Sequence, residues 1–297
     1  MKLDALRVFL RVADYEHVTR AAEELALTQP AVSRTIHSLE QEAGLSLFER
    51  QGRRIALTAE GRIVQTYARR IMALERELEE SLAALRDVET GEVVISASKT
   101  TGVYLLPPMI TRFRTLHPHI ALSLSIDNSH QVTEHVLTWQ AEIGLVEGDI
   151  SSLPPELAVE VIANDELVLV IAPTHRWSSV RAVTPEMLRA NELLLREQGS
   201  GTREVIERAL QQQGVQVSPL LTVPENETIK QLVMRGTGAA ILPALVVQRE
   251  METHDLQRVP IEGLDLHREF SLVRRADKQL SRAAHAFCAL LRQVTAD

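Results

Sequence analysis

Apolar residues recur at helical spacing in the first part of the chain. Leu6, Phe9 and Ala13 lie three or four residues apart, which predicts an amphipathic helix over about residues 3–14. Thr19 precedes a short run with paired alanines and is a favourable N-cap, so a second helix is predicted there.

A third helix is predicted from Gln29 to about Glu42. Thr28 is a suitable N-cap, and Pro30 is tolerated in the first turn, where its missing N–H has no partner to lose. Gly44 supplies a stop.

The two faces of this third helix differ in polarity. The predicted core face comprises Val32, Ile36, Leu39 and Ala43. The opposite face comprises Gln29, Ser33, Arg34 and His37. It carries no carboxylate before Glu40, so its donors could approach bases and phosphates without repelling the DNA backbone. The pattern suits a recognition helix, and taken alone it suits an ordinary solvated face equally well.

Two short apolar runs, residues 45–50 and 55–58, surround a turn that contains a glycine, which predicts a β-hairpin. Its tip carries Arg53 and Arg54, with Arg50 just before them. An arginine-bearing hairpin after two short helices is typical of a wing that reaches the DNA backbone or minor groove.

Five segments of this region match a known family at fixed offsets. They are Thr19-Arg20-Ala21-Ala22, Thr28-Gln29-Pro30-Ala31-Val32-Ser33-Arg34, Leu39-Glu40, Gly44-Leu45-Ser46-Leu47-Phe48-Glu49-Arg50 and Leu57-Thr58-Ala59-Glu60-Gly61. The chain here resembles the LysR-type transcriptional regulators. The resemblance implies a winged helix-turn-helix that reads the major groove of double-stranded promoter DNA. The expected DNA-binding residues are Thr19, Arg20, Thr28, Gln29, Pro30, Ser33, Arg34, His37, Arg50, Arg53 and Arg54.

A long helix is predicted from Thr58 to about Val88. Its apolar seam comprises Tyr67, Ile71, Leu74, Leu78, Leu82, Leu85 and Val88. Such a helix usually pairs with another, although it could pack on its own domain. The resemblance implies antiparallel pairing in a dimer, which presents two recognition helices to a palindromic site. A tetramer and contact with RNA polymerase are implied by the resemblance only.

The rest of the chain alternates between strand-like and helix-like runs after a polar break at residues 89–92. Strands are predicted at 93–97, 121–126, 141–146, 167–172, 193–195 and 220–223, and helices at 105–116, 132–140, 203–212 and from Ile229. This order predicts two α/β lobes with parallel strands and a ligand-binding cleft between them.

Four polar segments follow predicted strands or open predicted helices, where α/β proteins bind ligands. Their hydroxyl, amide and arginine groups suit an anion. Each segment alone is more simply a capped helix start, but four of them in two lobes favour a shared pocket. The expected effector-binding residues are Ser98, Lys99, Thr100, Thr101, Asn128, Ser129, Glu147, Arg196, Gly201, Thr202, Asn226 and Glu227.

This region also resembles the LysR-type effector domain. The matching segments are Tyr104-Leu105-Leu106-Pro107, Ile143-Gly144-Leu145-Val146-Glu147-Gly148, Leu195-Arg196-Glu197, Gly199-Ser200-Gly201-Thr202-Arg203, Arg235-Gly236-Thr237-Gly238 and Ile241-Leu242-Pro243. The third and fourth look like the branch that governs sulfur, carbon-fixation and related anion metabolism. That branch often has serine or threonine where Lys99 lies, so the identity of the ligand is open.

The expected fold is therefore α+β and multidomain. Its parts are a winged helix-turn-helix at 1–58, a linker and dimerisation helix at 59–89, and a two-lobed effector domain at 90–297 that resembles periplasmic binding proteins. Lobe I is expected at about 91–162 and 266–297, and lobe II at about 163–265.

Charge adds a constraint on where DNA could bind. The net charge is −8, but residues 1–62 carry nine lysines and arginines and nine acidic residues. The excess of negative charge therefore lies in the rest of the chain. The N-terminal part is thus more tolerant of DNA than the rest. We find no apolar run that could span a membrane or act as a signal core, and we expect a cytoplasmic protein without a membrane partner.

Other chemistry has little support in the sequence. The single cysteine, Cys288, excludes an internal disulfide or a cysteine metal cluster and is expected to be buried. Gly199-Ser200-Gly201 lacks the spacing of a nucleophile turn, and we expect no metal, cofactor or enzymatic activity. The rival readings are a solute-binding transport protein and an α/β enzyme. The missing export signal opposes the first, and the missing catalytic groups oppose the second.

Overall fold

The computed structural model describes residues 2–51, 54–84, 90–148, 153–189 and 192–296. The chain divides into two compact units, each described by itself below. The first comprises Met1–Val88 with Thr138–Gln140, and the second comprises Glu89–Leu137 with Ala141–Asp297.

The first unit contains four helices and a hairpin among its described residues. They are α1 (Leu3–Tyr15), α2 (Val18–Glu24), α3 (Gln29–Ala43), β1 (Phe48–Gln51), β2 (Arg54–Leu57) and α4 (Ala59–Ala84).

The core of this unit lies between α1, α2 and α3. Phe9, Val12 and Val32 have no exposed surface, and Leu39 is 2% exposed. Each such side chain stabilises the fold by roughly 1.5–3 kcal/mol through burial. The predicted core position Ala43 is wrong, because residues 41–46 are all exposed and the last turn of α3 projects from the core.

The helices of this unit begin and end close to the predicted residues, but the predicted side-chain capping hydrogen bonds are not formed. Thr19 is not an N-cap, because α2 begins at Val18 and His17 precedes it in an extended conformation. Thr28 does precede α3, but its side chain makes no capping hydrogen bond. Gly44 ends α3 in the left-handed region, with φ 69°, as predicted.

The hairpin pairs Phe48 with Leu57 in antiparallel register. It is shorter than predicted, because Leu45 lies outside the strands and is 50% exposed. Gly61, in the first turn of α4, packs directly against this hairpin. A Cβ at Gly61 would lie 2.1 Å from the carbonyl oxygen of Leu47, so only glycine fits there.

Helix α4 carries the predicted apolar seam on an exposed face. The exposed fractions of Tyr67, Leu74, Leu78 and Leu82 are 60%, 54%, 60% and 50%. Ile71 packs on the core of the first unit, but these four seam residues are not covered by α4's own domain in the part of the helix that the structure describes. Leu85 and Val88 lie outside the described residues.

The second unit contains the remaining elements. They are β3 (Gly91–Ser98), α5 (Leu106–Leu116), β4 (Ile120–Asp127), α6 (Ser129–Leu137), β5 (Ile143–Gly148), β6 (Leu157–Ile171), β7 (Leu193–Leu195), α7 (Gly201–Gln212), β8 (Leu221–Thr222), α8 (Asn226–Met234), β9 (Ala239–Pro243), α9 (Ala244–Glu252), β10 (Gln257–Val259), β11 (His267–Arg275) and α10 (Arg282–Ala296). Shorter helical turns span Thr101–Leu105, Arg176–Ser179 and Pro185–Arg189.

The described strands form one path in the order β4-β3-β5-β11-β6-β9-β7-β8, with β10 also paired to β6. The expectation of parallel strands holds for β3 with β4 and β5, and for β7 with β8 and β9. It is wrong for β6 and β11, which are antiparallel to each other and to their other neighbours. These two strands carry the chain from one lobe to the other and back, so they must run in opposite directions.

Each lobe has its own apolar core on either side of its sheet. In lobe II, Leu167, Leu169 and Ile171 of β6 face one cluster, while Val168 and Val170 face another. Burial on both faces explains why the sequence there is continuously apolar.

The predicted ends of several elements differ from the structure. The strand predicted at 167–172 is the second half of the 15-residue β6. The helix predicted at 132–140 begins earlier and ends at Leu137. A π-helical turn precedes α5, which the helical spacing from residue 105 did not indicate.

Replacing Gly61 with alanine should destabilise the first unit by about 1–3 kcal/mol, because the added methyl group overlaps the Leu47 carbonyl. Urea unfolding followed by circular dichroism measures this. Glu60→Ala, an exposed change in the same turn, is the control and should stay within about 0.5 kcal/mol. Equal midpoints for the two variants would contradict the packing described here.

Cys288 should react with thiol reagents only when the effector domain unfolds. The residue has no exposed surface, and burial raises the pKa of its thiol to about 11. Burial thus favours the neutral thiol, and this contribution to stability is lost as the pH rises from about 9 towards 11. Labelling with a thiol reagent at pH 8, with and without denaturant, checks this; rapid labelling of the native protein would contradict it.

Candidate DNA-binding and effector-binding sites

Helix α3 presents the predicted DNA-reading side chains on its outer face. Gln29, Pro30, Arg34 and His37 are exposed and Ser33 is half-buried. Among the described residues, the hydrogen bonds of these polar groups are local to the helix. Gln29 Nε2 donates to Ser33 Oγ at 3.3 Å, and Arg34 Nε donates to the Pro30 carbonyl at 3.3 Å. Such exposed contacts are readily exchanged for contacts with bases or phosphates.

The first carboxylate along α3, that of Glu40, is hydrogen-bonded to the start of the hairpin. Glu40 Oε1 accepts hydrogen bonds from the backbone N–H groups of Leu47 and Phe48, at 2.8 and 3.2 Å. This arrangement keeps the Glu40 carboxylate on the hairpin, where it orients the start of β1.

Of the other residues predicted to contact DNA, the structure describes the side chains of some but not of the wing arginines. Thr19 and Arg20 are exposed, and the Arg20 guanidinium lies over the ring of Tyr15, 5.2 Å from its centroid. Arg53 lies outside the described residues, as do the side chains of Arg50 and Arg54. The position of the wing arginines therefore stays a prediction.

The second unit brings together predicted effector residues that are distant in sequence. Thr100 Oγ1 donates to Glu147 Oε1 at 3.2 Å and accepts from Asn226 Nδ2 at 3.5 Å. Arg196 Nη1 in turn donates to Asn226 Oδ1 at 2.7 Å. All four side chains are buried. Thr100 and Glu147 belong to lobe I and the other two to lobe II, so this chain of hydrogen bonds spans the cleft.

A second arginine, Arg268, completes this cluster. Its Nη1 donates to Thr202 Oγ1 at 2.8 Å and lies 3.7 Å from Glu147 Oε1. Its Nε donates to Asp165 Oδ2 at 2.7 Å. The side chain of Arg268 has no exposed surface. We call Thr100, Glu147, Arg196, Thr202, Asn226 and Arg268 the cleft cluster.

Gly201 allows the two lobes to approach closely beside the cluster. It opens α7 in lobe II, and a Cβ there would lie 1.8 Å from the carbonyl oxygen of Glu147 in lobe I. Any larger residue would force β5 away from the first turn of α7, which carries Thr202.

The positive charges of the cleft already have acidic partners. Arg196 pairs with Glu197 at 2.8 Å. Lys99 of lobe I donates to the Pro224 carbonyl at 2.8 Å and pairs with Glu225 of lobe II at 2.5 Å. An anionic ligand would have to compete with these internal carboxylates, since their attraction is strong where water is excluded.

Three other predicted effector residues make hydrogen bonds within lobe I. Ser98 Oγ and Thr101 Oγ1 lie 2.9 Å apart, and Ser98 Oγ also accepts from the N–H of Thr101. Ser129 Oγ donates to the Glu147 carbonyl at 3.0 Å. These hydroxyls fix the backbone around the cleft cluster.

Asn128 and Glu227 do not join the cluster through their described contacts. Asn128 Oδ1 accepts from the Gln131 N–H at 2.9 Å, which caps the start of α6. Glu227 pairs with Lys230 at 2.8 Å, and this hydrogen bond lowers the pKa of the Glu227 carboxyl.

The sequence analysis did not select Arg268 of the cleft cluster or its partner Asp165. Arg268 stands directly opposite Asp165 in the β11–β6 ladder. The only signal in the sequence is that both charges flank strand-like runs, which describes many surface residues as well. Their pairing depends on the antiparallel crossing of the two strands.

The residues that the structure describes contain neither a metal-binding group nor a membrane-spanning helix. No group of three or more histidine, cysteine or acidic side chains could hold a metal ion. No helix is long and apolar enough to cross a membrane.

Comparison with family models decides the classification. A model described as "LysR substrate binding domain" matches residues 86–296, and one described as "Bacterial regulatory helix-turn-helix protein, lysR family" matches residues 3–62. The chain belongs to the LysR family. This LysR regulator is therefore a DNA-binding transcription factor, and its curated relatives are named as regulators rather than enzymes.

Known regulators are similar to this LysR chain over most of its length. The RuBisCO operon transcriptional regulator of Allochromatium vinosum is 36% identical over 290 residues, which cover 97% of this chain and 94% of the relative. Full-length CbnR, solved with its target DNA, is 25% identical with a TM-score of 0.69 and 99% of each chain covered. The regulatory domain of Synechocystis PCC6803 CcmR, solved with 2-PG, covers 69% of this chain and 97% of its own. It is 24% identical with a TM-score of 0.62, which shows a shared fold.

Replacing Arg34 with alanine should weaken DNA binding and lower its salt dependence. If Arg34 contacts a phosphate, the slope of log K against log salt concentration should fall by about 1. Fluorescence anisotropy with a labelled promoter fragment at several salt concentrations measures the slope. Arg112→Ala, an exposed change on α5, serves as the control. An unchanged slope and affinity for Arg34→Ala would remove this residue from the interface.

Proposed function

We propose that this LysR regulator binds promoter DNA as an oligomer and that a small anion bound at the cleft cluster controls its effect on transcription. The observation that carries the proposal is the burial of two threonine hydroxyls from different lobes, Thr100 and Thr202, beside the arginines Arg196 and Arg268. Hydroxyl and guanidinium groups together are suited to phosphate and carboxylate ligands.

The start of α7 adds a further donor to this site. Ser200 precedes α7, is 1% exposed, and its Oγ has no hydrogen-bond partner among the described residues. The N-terminus of a helix also favours negative charge. An anion near Thr202 would thus meet the hydroxyl of Ser200 as well as the guanidinium of Arg268.

The relatives suggest which anions and genes to test first. The Allochromatium vinosum protein is named for the RuBisCO operon, and the CcmR regulatory domain was solved with 2-phosphoglycolate. We propose that the present regulator acts on genes of carbon fixation and that its effector is a small phosphorylated or carboxylated anion. The effector's identity and the direction of control stay open.

The mechanism follows from the two-lobed geometry. An anion that takes donors from both lobes would release Arg268 and Thr100 from Glu147 and so change how the lobes close. The exposed seam of α4 supports dimerisation and leaves room for a tetramer. We propose that lobe movement changes the angle between dimers, the bend of the DNA and the contact with RNA polymerase in the cytoplasm.

The domain division is part of the same proposal. We assign DNA binding to residues 1–58, the dimerisation helix to 59–89 and the effector domain to 90–297. We divide the lobes at 162/163, within β6, and at 265/266, just before β11.

A thermal unfolding screen tests the anion site. The native protein is compared with Thr100→Val and Thr202→Val in the presence of 2-phosphoglycolate, glycolate, phosphate, sulfate or acetate. A ligand at 100 times its Kd should stabilise the native protein by about 2.7 kcal/mol, which is a shift of a few degrees. Both variants should lose the shift, because each removes a hydroxyl from the cleft cluster.

Thr115→Val is the matched control. Thr115 is exposed on α5, and its hydroxyl donates only to the Thr111 carbonyl among its described hydrogen bonds. This variant should keep the full shift. A shift that survives in Thr202→Val, or a native protein that responds to none of the anions, would refute the site. DNase footprints that do not change with a bound anion would refute the mechanism.

A further inference from the structure

The ammonium group of Lys99 has its described partners in the opposite lobe. Lys99 belongs to lobe I, and its Nζ donates to the Pro224 carbonyl at 2.8 Å and pairs with Glu225 Oε1 at 2.5 Å. Pro224 and Glu225 both belong to lobe II. The Lys99 side chain is only 16% exposed, so the attraction is screened less than in a fully exposed pair. Moving the lobes apart at this point would break both contacts together.

Glu225 makes this pair instead of capping its own helix. It is the N-cap residue of α8, yet its side chain makes no capping hydrogen bond there. Its carboxylate reaches Lys99 across the cleft and is 56% exposed. When the pair breaks, water can therefore solvate the carboxylate at once, and no unpaired charge stays buried. The contact can open at a much lower cost than the buried pairs of Arg268.

Two further side chains of the same segment contact lobe II around the start of α8. Thr100 accepts a hydrogen bond from Asn226, the first residue of α8. Tyr104 lies in the π-helical turn before α5 and packs against the lobe II core cluster that contains Val223 and Ile229. Residues 99–104 of lobe I thus contact the first turn of α8 and its surroundings through a charge, a hydrogen bond and an aromatic ring.

The lobes meet through different groups on the α7 side of the cleft. The N–H of His130 in lobe I donates to the Gly199 carbonyl in lobe II at 3.1 Å. Gly201 lies against the Glu147 carbonyl so closely that no Cβ fits between them. These contacts join uncharged backbone groups. A change of side-chain charge would therefore act on the α8 side, where Lys99 and Glu225 lie.

We propose that the pair of Lys99 and Glu225 is an electrostatic latch that keeps the cleft closed on its α8 side. When the latch breaks, α8 moves away from lobe I while β6 and β11 still connect the lobes. Thr100 has no exposed surface and Asn226 is 3% exposed in the closed arrangement described here. Opening exposes both residues, so the latch controls access to the cleft cluster. The latch does not rest on the proposed anion site.

The distance between spin labels on the two lobes of the full-length protein tests the latch. The labels are attached at Thr115→Cys on α5 and Gln248→Cys on α9, which are both exposed positions. Helix α5 follows the turn that carries Tyr104, and α9 packs against α8. Cys288 is buried and should not react. Pulsed electron paramagnetic resonance then gives the ratio of open to closed lobes, with labelled chains diluted among unlabelled ones before assembly.

Reversing either charge of the latch should open the cleft. Lys99→Glu and Glu225→Lys each place like charges opposite one another, and each should raise the ratio of open to closed lobes at least about fivefold. The variant that combines both changes restores opposite charges and should return the ratio to within about twofold of the native value. Lys99→Met removes the charge without adding repulsion, so it should raise the ratio by a smaller factor. It also keeps the test available if a reversed charge prevents folding, which thermal unfolding detects.

Arg275→Glu is the matched control. Arg275 pairs with Asp277 at 2.7 Å and donates to the Leu137 carbonyl at 2.8 Å. The two paired side chains are 18% and 53% exposed, close to the values for Lys99 and Glu225. All three residues belong to lobe I, so this charge reversal should leave the ratio of open to closed lobes unchanged.

Three results would overturn the latch. They are unchanged label distances in both single reversals, a combined variant as open as the single ones, or equal opening in Arg275→Glu. The measurement uses no added effector, so its failure leaves the proposed anion site untouched. Conversely, a thermal shift with anions that survives in Thr202→Val would refute the anion site and leave the latch unaffected.

Discussion

The guanidinium of Arg268 is positively charged, and its side chain has no exposed surface. The arrangement of the two lobes depends on the groups that pair with this buried charge. Asp165 faces it across the β11–β6 ladder, Thr202 accepts its second donor, and Glu147 lies 3.7 Å away. Removing one partner of a buried ion pair costs about 3–5 kcal/mol. The Arg268 side chain on β11 therefore contacts residues of β6, α7 and β5 at the same time.

Charge balance around Arg268 is also what would let the proposed anion site act as a sensor. The cleft closes on its own carboxylates, with Glu147 occupying donors that an anion would use. Binding then becomes an exchange of one negative group for another, and the energy difference between them is small compared with the burial of either charge. A modest difference of that kind is what allows a ligand to shift the balance between two arrangements of the lobes.

The two units show different kinds of surface for different partners. The first unit exposes neutral and basic donors on α3 and keeps the Glu40 carboxylate occupied by the hairpin. Helix α4 leaves an apolar seam uncovered. The second unit buries several charged groups around the cleft cluster and holds most of the acidic excess of the chain. The acidic excess therefore lies in a different unit of the chain from the predicted DNA-reading helix.

Local patterns in the sequence were sufficient for most of the architecture. Helical spacing located α1 and α3, the glycine at Gly44 ended α3, and alternating runs located most strands of the effector domain. The family resemblance covered nearly the whole chain and was confirmed by the family models. Thr100, Glu147, Arg196, Thr202 and Asn226 were grouped from the sequence because each lies near the end of a strand or the start of a helix, and the structure brings them together; their role in effector binding stays a prediction.

The tertiary structure alone decided how those residues meet. Arg268 bonds to Thr202 across 66 residues of chain, and Thr100 bonds to Asn226 across 126. Such contacts follow from two strands crossing between lobes in opposite directions, which made β6 and β11 antiparallel against expectation. Asn128 and Glu227 look as polar in the sequence as the members of the cleft cluster, yet their described hydrogen bonds are local. Spacing along a chain determines which face a residue occupies, whereas contact between distant residues depends on how the elements pack.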